Sequence, residues 1–528
     1  MRYVIAAVSA AALLASEPTG ADAKRWWAHV TTLAADSLEG REAGSPGHRT
    51  AAEYVAGQFQ AVGLKPGNKG SYYQPVPLVR RELDEAASSI TIIDAGGRES
   101  VLELGKQAYL NLRVDLAPEV EAPLVFAGNG LSAPAYKHDD LAGLDLKGKI
   151  AVYIAGAPES LPGAVQAHYS SSAERARALA AAGAIGAISI SNPKNQDLPW
   201  ARSSASRLQP AMTLADPALD SSSLLRFGAV FNPESAQMLF NGAPQTFAQL
   251  LEIATKREKL PTFPLKVRLR AKATLRKSKL ESDNVVGLLE GSDRKRRNEY
   301  LVLSAHLDHI GVNRALKGDQ INNGAMDNAS GVATLIEVAR GLTSGRVLRR
   351  PARSILFVAV TGEEKGLLGS RSFANRAPAP AKQMIANLNF DMFLPIHPMT
   401  KVMVLGLEES TLRQPLERAA KRVGVAVQAD LEPLRNRFIR SDQYNFILAG
   451  VPALALKVGY DEGSEQEKIQ KEWIHTRYHA PSDDLAQPVD FDAAVIFNRL
   501  VTELALEVAD QKARPEWLRD SFFRQFAR

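Results

Sequence analysis

Two histidines and several carboxylates close apolar runs in the second half of the chain. The runs are Leu301-Val-Leu-Ser-Ala-His306-Leu-Asp308, Ser354-Ile-Leu-Phe-Val-Ala-Val-Thr-Gly-Glu363-Glu364 and Ala386-Asn-Leu-Asn-Phe-Asp391-Met. Between the first two lies Gly324-Ala-Met-Asp327-Asn-Ala-Ser-Gly331, and far downstream Tyr478-His479-Ala-Pro-Ser-Asp483 adds a second imidazole. Two imidazoles (His306, His479) and three carboxylates (Asp327, Glu364, Asp391) form a hard-to-borderline donor set. It suits zinc, or with less preference manganese or cobalt. Such a set is too large for one tetrahedral catalytic zinc that keeps an open position. If one carboxylate bridges, each of two ions receives three protein ligands and a shared water, with the ions about 3.5 to 4 Å apart. Asp327 is the natural bridge, because Gly324 and Gly331 let its turn approach closely and Ser330 can cap the helix that follows. Glu363, next to a ligand but pointing elsewhere, is then free to act as general base on the shared water. Asp308, two residues after His306, is placed to orient that imidazole.

Short continuous apolar runs separated by helical segments read as buried strands of a mostly parallel sheet. In such sheets ligands bind beyond the carboxyl ends of the strands, where every candidate ligand sits. Residues 329–342 place Val332, Leu335, Ile336 and Ala339 on one helical face, and residues 413–423 and 492–508 behave alike. Upstream, residues 24–66 are helical around a Gly- and Pro-rich loop, Leu38-Glu-Gly40-Arg41-Glu-Ala-Gly44-Ser-Pro-Gly47. Residues 68–113 alternate in segments such as Ser89-Ile-Thr-Ile-Ile93, which suggests edge strands and a meander.

His306-x-Asp308, Gly-Ala-Met-Asp327-Asn-Ala-Ser-Gly, Glu363-Glu364, Asn389-Phe-Asp391-Met and Tyr478-His479-x-Pro-x-Asp483 resemble, in matching order, the motifs of the M28 family of co-catalytic zinc metallopeptidases. The resemblance implies His306 and Asp391 on one zinc, Glu364 and His479 on the other, and Asp327 bridging. Glu363 is then the base, and Tyr478 polarises the carbonyl oxygen. The implied function is that of a di-zinc exopeptidase, foremost an aminopeptidase acting on peptides with a free N-terminus. A metallo-carboxypeptidase, a single-zinc glutaminyl cyclotransferase and a non-catalytic receptor-like protein share the scaffold. A carboxypeptidase would need arginines converging on the substrate carboxylate, with Arg41, Arg437 and Arg440 as candidates. The Gly40-Arg41 loop is similar to a segment near the start of many M28 peptidases, where Arg41 reaches the active-site rim or forms a structural salt bridge. Arg440-Ser-Asp442-Gln-Tyr444-Asn-Phe446 is similar to a segment near the family's substrate pocket, making Asp442 and Phe446 pocket candidates.

Around residue 120 the character changes. Pro123-Leu-Val-Phe-Ala-Gly128-Asn-Gly130, Gly143-Leu-Asp-Leu-Lys147-Gly-Lys149-Ile-Ala-Val-Tyr153 and a helix running into Ala184-Ile-Gly-Ala-Ile-Ser-Ile190 resemble a protease-associated (PA) domain, a β-rich insertion. The expected class is α/β: a mixed, mostly parallel sheet flanked by helices, of zinc-exopeptidase type, interrupted by that domain. The chain divides into a signal peptide (1–23), the first part of the catalytic domain (24–118), the PA domain (119–274), the metallopeptidase domain (275–511) and a tail (512–528).

At 528 residues, with 45% hydrophobic and 23% charged residues, the chain has ample material for a core and for more than one domain. A net charge of +6 is small for this size. The densest basic run, Arg294-Lys-Arg-Arg297, follows Gly291-Ser-Asp and reads as a solvated turn rather than a nucleic-acid contact. Met1-Arg2, the apolar stretch from Tyr3 to Ala15 and Ala21-Asp22-Ala23 read as a secretory signal with a small-x-small cleavage site, so the chain is expected to be exported to the periplasm or beyond. Cysteine is absent, which excludes disulfides and thioether lipidation, and no other segment is long enough to insert stably in a membrane. His309, His397 and His475 are assigned to core hydrogen bonds or solvent. The tail, with Trp517, Phe522, Phe523 and Phe526 among arginines, is suited to docking on the body or on a partner.

Overall fold

The computed structural model describes residues 20–195, 198–344 and 350–527. Most of the expected signal segment, residues 1–19, lies outside the described residues, and Ala21, Asp22 and Ala23 form the first turn of a helix. That helix, α1 (Ala21–Leu33), and α2 (Pro46–Ala61) bury Trp26, Val30, Val55 and Phe59 completely. Ser45 caps α2 by accepting the His48 N–H, and Pro46 occupies the first turn, where no donor is needed.

The strands of the first half are β1 (Tyr73–Ile93), β2 (Glu119–Ala127), β3 (Ile150–Ile154), β4 (Gly186–Ile190), β5 (Phe227–Phe231) and β6 (Thr262–Leu289). There follow β7 (Tyr300–His306), α3 (Ser330–Thr343), β8 (Ser354–Val360), α4 (Leu368–Arg376), β9 (Met384–Asn389), β10 (Lys401–Leu405), α5 (Arg413–Val423), β11 (Ala426–Ala429), β12 (Ala453–Val458), α6 (Glu465–Thr476) and α7 (Phe491–Asp510). The spatial order is β11-β10-β12-β9-β7-β8-β6-β2-β3-β4-β5, with the short strand Ala108–Leu110 at the far edge.

Two parallel blocks result. In one, β8, β7, β9 and β12 run parallel; in the other, β2, β3, β4 and β5 do. The 28-residue β6 joins them, antiparallel to β8 at one end and to β2 at the other. The expected mixed, mostly parallel α/β fold is what the chain adopts. Of the expected edge strands and meander, Glu99–Val101 is an edge strand paired with the end of β1, but in place of a meander β1 is a single 21-residue strand, because β6 pairs with it over nearly its whole length. The boundary placed at 274 lies inside β6, beside the register shift between Lys272 and Thr274.

Each block has its own core. Val332, Leu335, Ile336 and Ala339, the face expected from helical spacing, are all buried with Leu301, Leu303, Phe497 and Leu500. Ile90, Phe126, Val152, Ile188 and Phe231 form the second core. The tail docks on the body: Trp517 and Phe523 are buried with Tyr444, Ile447 and Ala167, and the Trp517 indole donates to the Gly450 carbonyl at 3.1 Å. Residues 294–298 form a turn, in which Arg296 pairs with Asp293 at 2.8 Å. No helix among the described residues is long and apolar enough to cross a membrane.

Candidate metal centre

The parallel register brings the functional ends of three strands level. His306 is the last residue of β7 and stands opposite Val360 of β8, while Ser304 stands opposite Asn389 of β9. Glu363 and Glu364 lie in the loop just beyond β8, and Asp391 just beyond β9. Asp327, in the turn before α3, sits between them with its two oxygens facing different imidazoles. Its Oδ1 is 3.2 Å from His306 Nε2, and its Oδ2 is 3.3 Å from His479 Nε2. His306 Nε2 also lies 3.3 Å from Asp391 Oδ1, and His479 Nε2 lies 3.1 Å from Glu364 Oε2. All five candidate ligands therefore meet, as two imidazole–carboxylate pairs sharing one central carboxylate.

The turn around Asp327 is held from several sides. Gly324 has φ +62, and a Cβ there would lie 2.3 Å from the Asp327 carbonyl oxygen, so glycine is required. The Asp483 carboxylate accepts the Met326 and Asp327 N–H groups, each at 2.9 Å. Asn328 donates to the Phe390 carbonyl at 2.8 Å, tying the turn to the end of β9. A Cβ on Gly331 would collide with Asn328 Oδ1 at 2.3 Å and the Phe390 oxygen at 2.4 Å, which explains that glycine too. Ser330 does not cap α3 as expected. The helix is entered through Ala329 in helical conformation, so the hydroxyl turns back and donates to the Met326 carbonyl at 2.8 Å.

Two further expectations are corrected. The Asp308 side chain does not orient His306; its backbone carbonyl does, accepting from Nδ1 at 2.9 Å. Its carboxylate instead accepts the Glu363 and Glu364 N–H groups at 3.0 and 3.3 Å, fixing the loop that carries both glutamates. Among the described residues, Arg41 neither lines a cavity at the centre nor forms a salt bridge. It is fully buried, and its guanidinium donates to the carbonyls of Leu33, Leu307, Asn323 and Gly324, clamping together the two loops that carry His306 and Asp327.

The electrostatics of the centre call for a cation. With Nδ1 donating to a carbonyl, a neutral His306 presents the lone pair of Nε2 to two carboxylates, an arrangement that only a proton or a metal ion relieves. Burial works against a charge on His479, yet Glu364 and Asp327 hold its pKa up to about 10. Burial, reinforced by Glu364, Asp391 and Asp442, raises the Glu363 carboxyl well above the ordinary carboxylate range. Asp327 Oδ2 and His309 Nε2 are buried without any hydrogen bond. Converging acids, inward-facing imidazole lone pairs and orphaned polar atoms fit divalent cations held by His306, Asp327 and Asp391 on one side and by Asp327, Glu364 and His479 on the other.

His309 is the residue that sequence reasoning set aside. It is fully buried, its Nδ1 donates to Glu364 Oε1 at 2.7 Å, and it lies 3.9 Å from Asp327 Oδ2. With those two acids it forms a second group able to hold an ion. The one available signal was its position three residues after His306 at a strand end. Lys457, also unremarked, donates from its buried amine to the carbonyls of Asp391 and Met392 at 2.9 and 3.1 Å. Tyr478 packs beside His479, with ring centroids 4.0 Å apart and planes tilted by 35°, and lines the cleft in front of the centre. Asp442 is fully buried, and burial pushes its carboxyl up to about 7. Phe446 belongs to an apolar cluster with Val286, Val358 and Phe373, and neither Asp442 nor Phe446 lines that cleft. His397 is a core residue beside Gln470, as assigned.

Two cavities reach the centre. One, about 390 Å³, is lined by Asp327, Glu363, Asp391 and Tyr478 with the apolar side chains of Met392, Leu394 and Ile474. The other, about 670 Å³, lies between the two parallel blocks and touches Glu364. His479 lines both.

Comparison with known proteins bears on the same stretch. Over 196 residues the chain is 31% identical to leupeptin-inactivating enzyme 1 of Streptomyces exfoliatus, covering 36% of this chain and 40% of that protein. Over 215 residues it is 26% identical to a probable leucine aminopeptidase 2 of Aspergillus fumigatus, covering 38% of this chain and 39% of that one. The chain thus spans about two fifths of the length of these relatives. Its fold is similar to that of an aminopeptidase from Aneurinibacillus sp. strain AM-1, with a TM-score of 0.56 at 19% identity, covering 95% of this chain and 96% of that one. The segment that carries every candidate ligand, residues 284–505, matches the model of Peptidase family M28.

Proposed function

We propose that the protein is a co-catalytic di-zinc aminopeptidase, and one observation carries the reading. A single buried carboxylate, Asp327, divides its two oxygens between two separate imidazole–carboxylate pairs, 3.2 Å and 3.3 Å away. That is the donor geometry of a bridging ligand between two ions. The M28 match and the name of the Aspergillus fumigatus relative support hydrolysis of peptide bonds, and the imidazole and carboxylate donors suit zinc.

Zinc held by these residues would supply Lewis acidity to the attacking water and to the scissile carbonyl. Glu363, whose loop is fixed by the Asp308 carboxylate, takes a proton from that water as it adds to the carbonyl carbon. The raised affinity of Glu363 for a proton suits it to keep that proton and then pass it to the leaving amine as the C–N bond breaks. The Tyr478 hydroxyl, protonated throughout because burial raises its pKa further, donates to the carbonyl oxygen as negative charge develops there. Met392, Leu394 and Ile474 make the smaller cavity suitable for an apolar side chain of the N-terminal residue.

A carboxypeptidase reading draws on Arg437 and Arg440, which line the same cavity. Arg437 is engaged by Glu432 at 2.8 Å, and Arg41 by carbonyls, which weakens it. The proposal includes residues 119–274 as a PA-type wall beside the centre, supported by the bonds that Arg202 makes to the carbonyls of His475 and Tyr478, at 2.9 and 2.8 Å. It also includes export directed by residues 1–23, which N-terminal sequencing of the mature protein tests. The decisive experiment is digestion of peptides with free and blocked termini, with metal removed and restored and bound metal counted. Two ions per chain and a need for a free amine are expected. Cleavage that tolerates a blocked amine but needs a free carboxyl end would overturn the direction.

A further inference from the structure

The larger cavity is walled on one side by the second block and on the other by the loop of Glu364 and the start of α4. Cations line both cavities, but in the smaller one Arg435 and Arg437 pair with Glu432 at 2.9 and 2.8 Å and Lys471 with Glu467 at 2.6 Å. Arg113, Arg175, Arg202 and Arg371 all line it, and none of them forms an ion pair among the described residues. Their guanidiniums donate to backbone carbonyls. Arg113 donates to the Glu364 oxygen at 3.0 Å, Arg175 to those of Asn129 and Ser170 at 3.1 and 2.9 Å, and Arg371 to that of Leu219 at 3.3 Å. Arg202 donates to the carbonyls of His475 and Tyr478. A carbonyl orients a guanidinium but does not neutralise it. Arg175 also stacks on Tyr153, 4.4 Å from the ring centroid, and leaves a buried Nη2 with no hydrogen bond.

The remaining cations of the wall are already matched, Arg207 by Glu85 at 2.6 Å and Lys365 by Glu42 at 2.7 Å. Of the two lining acids, Asp220 is engaged by the Ser222 N–H and hydroxyl at 2.9 and 2.7 Å, and Glu364 belongs to the centre. Elsewhere on this protein, arginines with carboxylate partners are common. Four without one, around a single cavity that opens onto a candidate catalytic centre, form a preorganised anion site, because planar guanidiniums match a carboxylate in shape as well as charge.

We propose that this cavity is a subsite for a carboxylate of the peptide substrate, supplied by the free C-terminus of a short peptide or by an acidic side chain downstream of the cleaved bond. The proposal rests on the aminopeptidase reading for its polarity. The N-terminal residue enters the smaller cavity against Met392, Leu394 and Ile474, the scissile bond lies at the centre beside His479, and the remainder of a short peptide extends into the larger cavity. The enzyme therefore prefers short peptides ending in, or carrying, a carboxylate over amidated ones.

The test compares four substrates: Leu-Ala-Ala as free acid, its C-terminal amide, Leu-Ala-Glu as C-terminal amide, and leucine 4-nitroanilide, which carries no carboxylate and fills only the smaller cavity. The free acid is expected to show a KM at least about tenfold below that of its amide, the worth of one charge-assisted hydrogen bond. Rescue of KM in the glutamyl amide assigns the site to side chains; its absence assigns it to the C-terminus. Arg371→Gln is expected to collapse the acid-to-amide ratio while leaving the nitroanilide unchanged. Arg113→Gln, at an exposed position, provides the same ratio should the first variant fold poorly. Equal KM for acid and amide in the unaltered protein, or an equal shift for all four substrates in both variants, overturns the proposal. Calorimetry with acetyl-Ala-Ala as acid and as amide separates the two readings, since a blocked amine cannot be processed by an aminopeptidase. Preferential binding of the acid, lost in Arg371→Gln, upholds the subsite even if the nitroanilide is not hydrolysed. Equal binding of acid and amide removes it whatever the activity.

Discussion

The two parallel blocks offer the same platform and use it differently. In the second block, the loop after β2 also carries a buried acid, Asp140. Its Oδ2 accepts the N–H groups of Asn129 and Leu131 at 3.1 and 3.2 Å, and its Oδ1 faces a single imidazole, His138 Nε2, at 3.1 Å. In the block of β7, β8 and β9, Asp308, Asp327, Glu363, Glu364 and Asp391 crowd into one site with His306, His309 and His479. There the Nε2 atoms of His306 and His479 each face two carboxylates at once, and Asp327 is shared between them. Burial of charge is costly unless it is paired. An acid that faces one imidazole is balanced within the chain, whereas convergence that the chain cannot neutralise by itself marks the place for a bound cation.

The largest effect that would break this contrast is on turnover. Glu363→Gln is expected to lower kcat by about 10² to 10⁴-fold, the usual worth of a general base, with bound metal unchanged by elemental analysis. Near-normal turnover would remove Glu363 from the mechanism. Next, chelation is expected to destabilise the intact protein by about 3 to 4 kcal/mol where metal had been present at 100 to 1,000 times its dissociation constant. Asp327→Ala should melt at the same temperature with and without chelator; a preserved metal-dependent shift would show that Asp327 is not a shared ligand. In the other block, Asp140→Ala should cost about 1 to 3 kcal/mol for each N–H left unsatisfied. Hydrolysis of leucine 4-nitroanilide by the folded variant should stay within about twofold of the parent, inside the mutational scatter for a site that touches no substrate. A large loss of activity there would erase the distinction between the blocks.

The smallest effect is on the pH dependence of the metal-free protein. The folded-state pKa of His479, about 10, lies above its ordinary value. Its contribution to stability is therefore fully present below about pH 6.5 and is lost as pH rises through about 10. Melting temperatures measured in chelator across that window should fall, and His479→Gln should flatten the fall. Metal binding runs the other way, since the ligand must be neutral, so affinity for zinc should tighten as pH rises through the same range. Parallel slopes in the variant and the parent would locate the titrating group elsewhere.

Much of the centre was legible in the order of residues because its determinants are local. An apolar run ending in His306 or Asp391 states both a buried strand and what lies at its carboxyl end, and Gly324 and Gly331 announce a turn that must approach other backbone closely. The helical face of Val332, Leu335, Ile336 and Ala339 is likewise a matter of spacing alone. What tertiary structure decided depends on which distant segments touch. Asp308 sends its carboxylate to the Glu363 loop rather than to His306, and His309 joins Glu364. β6 continues unbroken from one block into the other because β1 pairs along it. The arginine-lined cavity is assembled from residues near 113, 175, 202 and 371, which no periodicity connects. Local preference is written in neighbouring residues, but the partner of a buried charge is chosen by strand register and by how the two blocks meet.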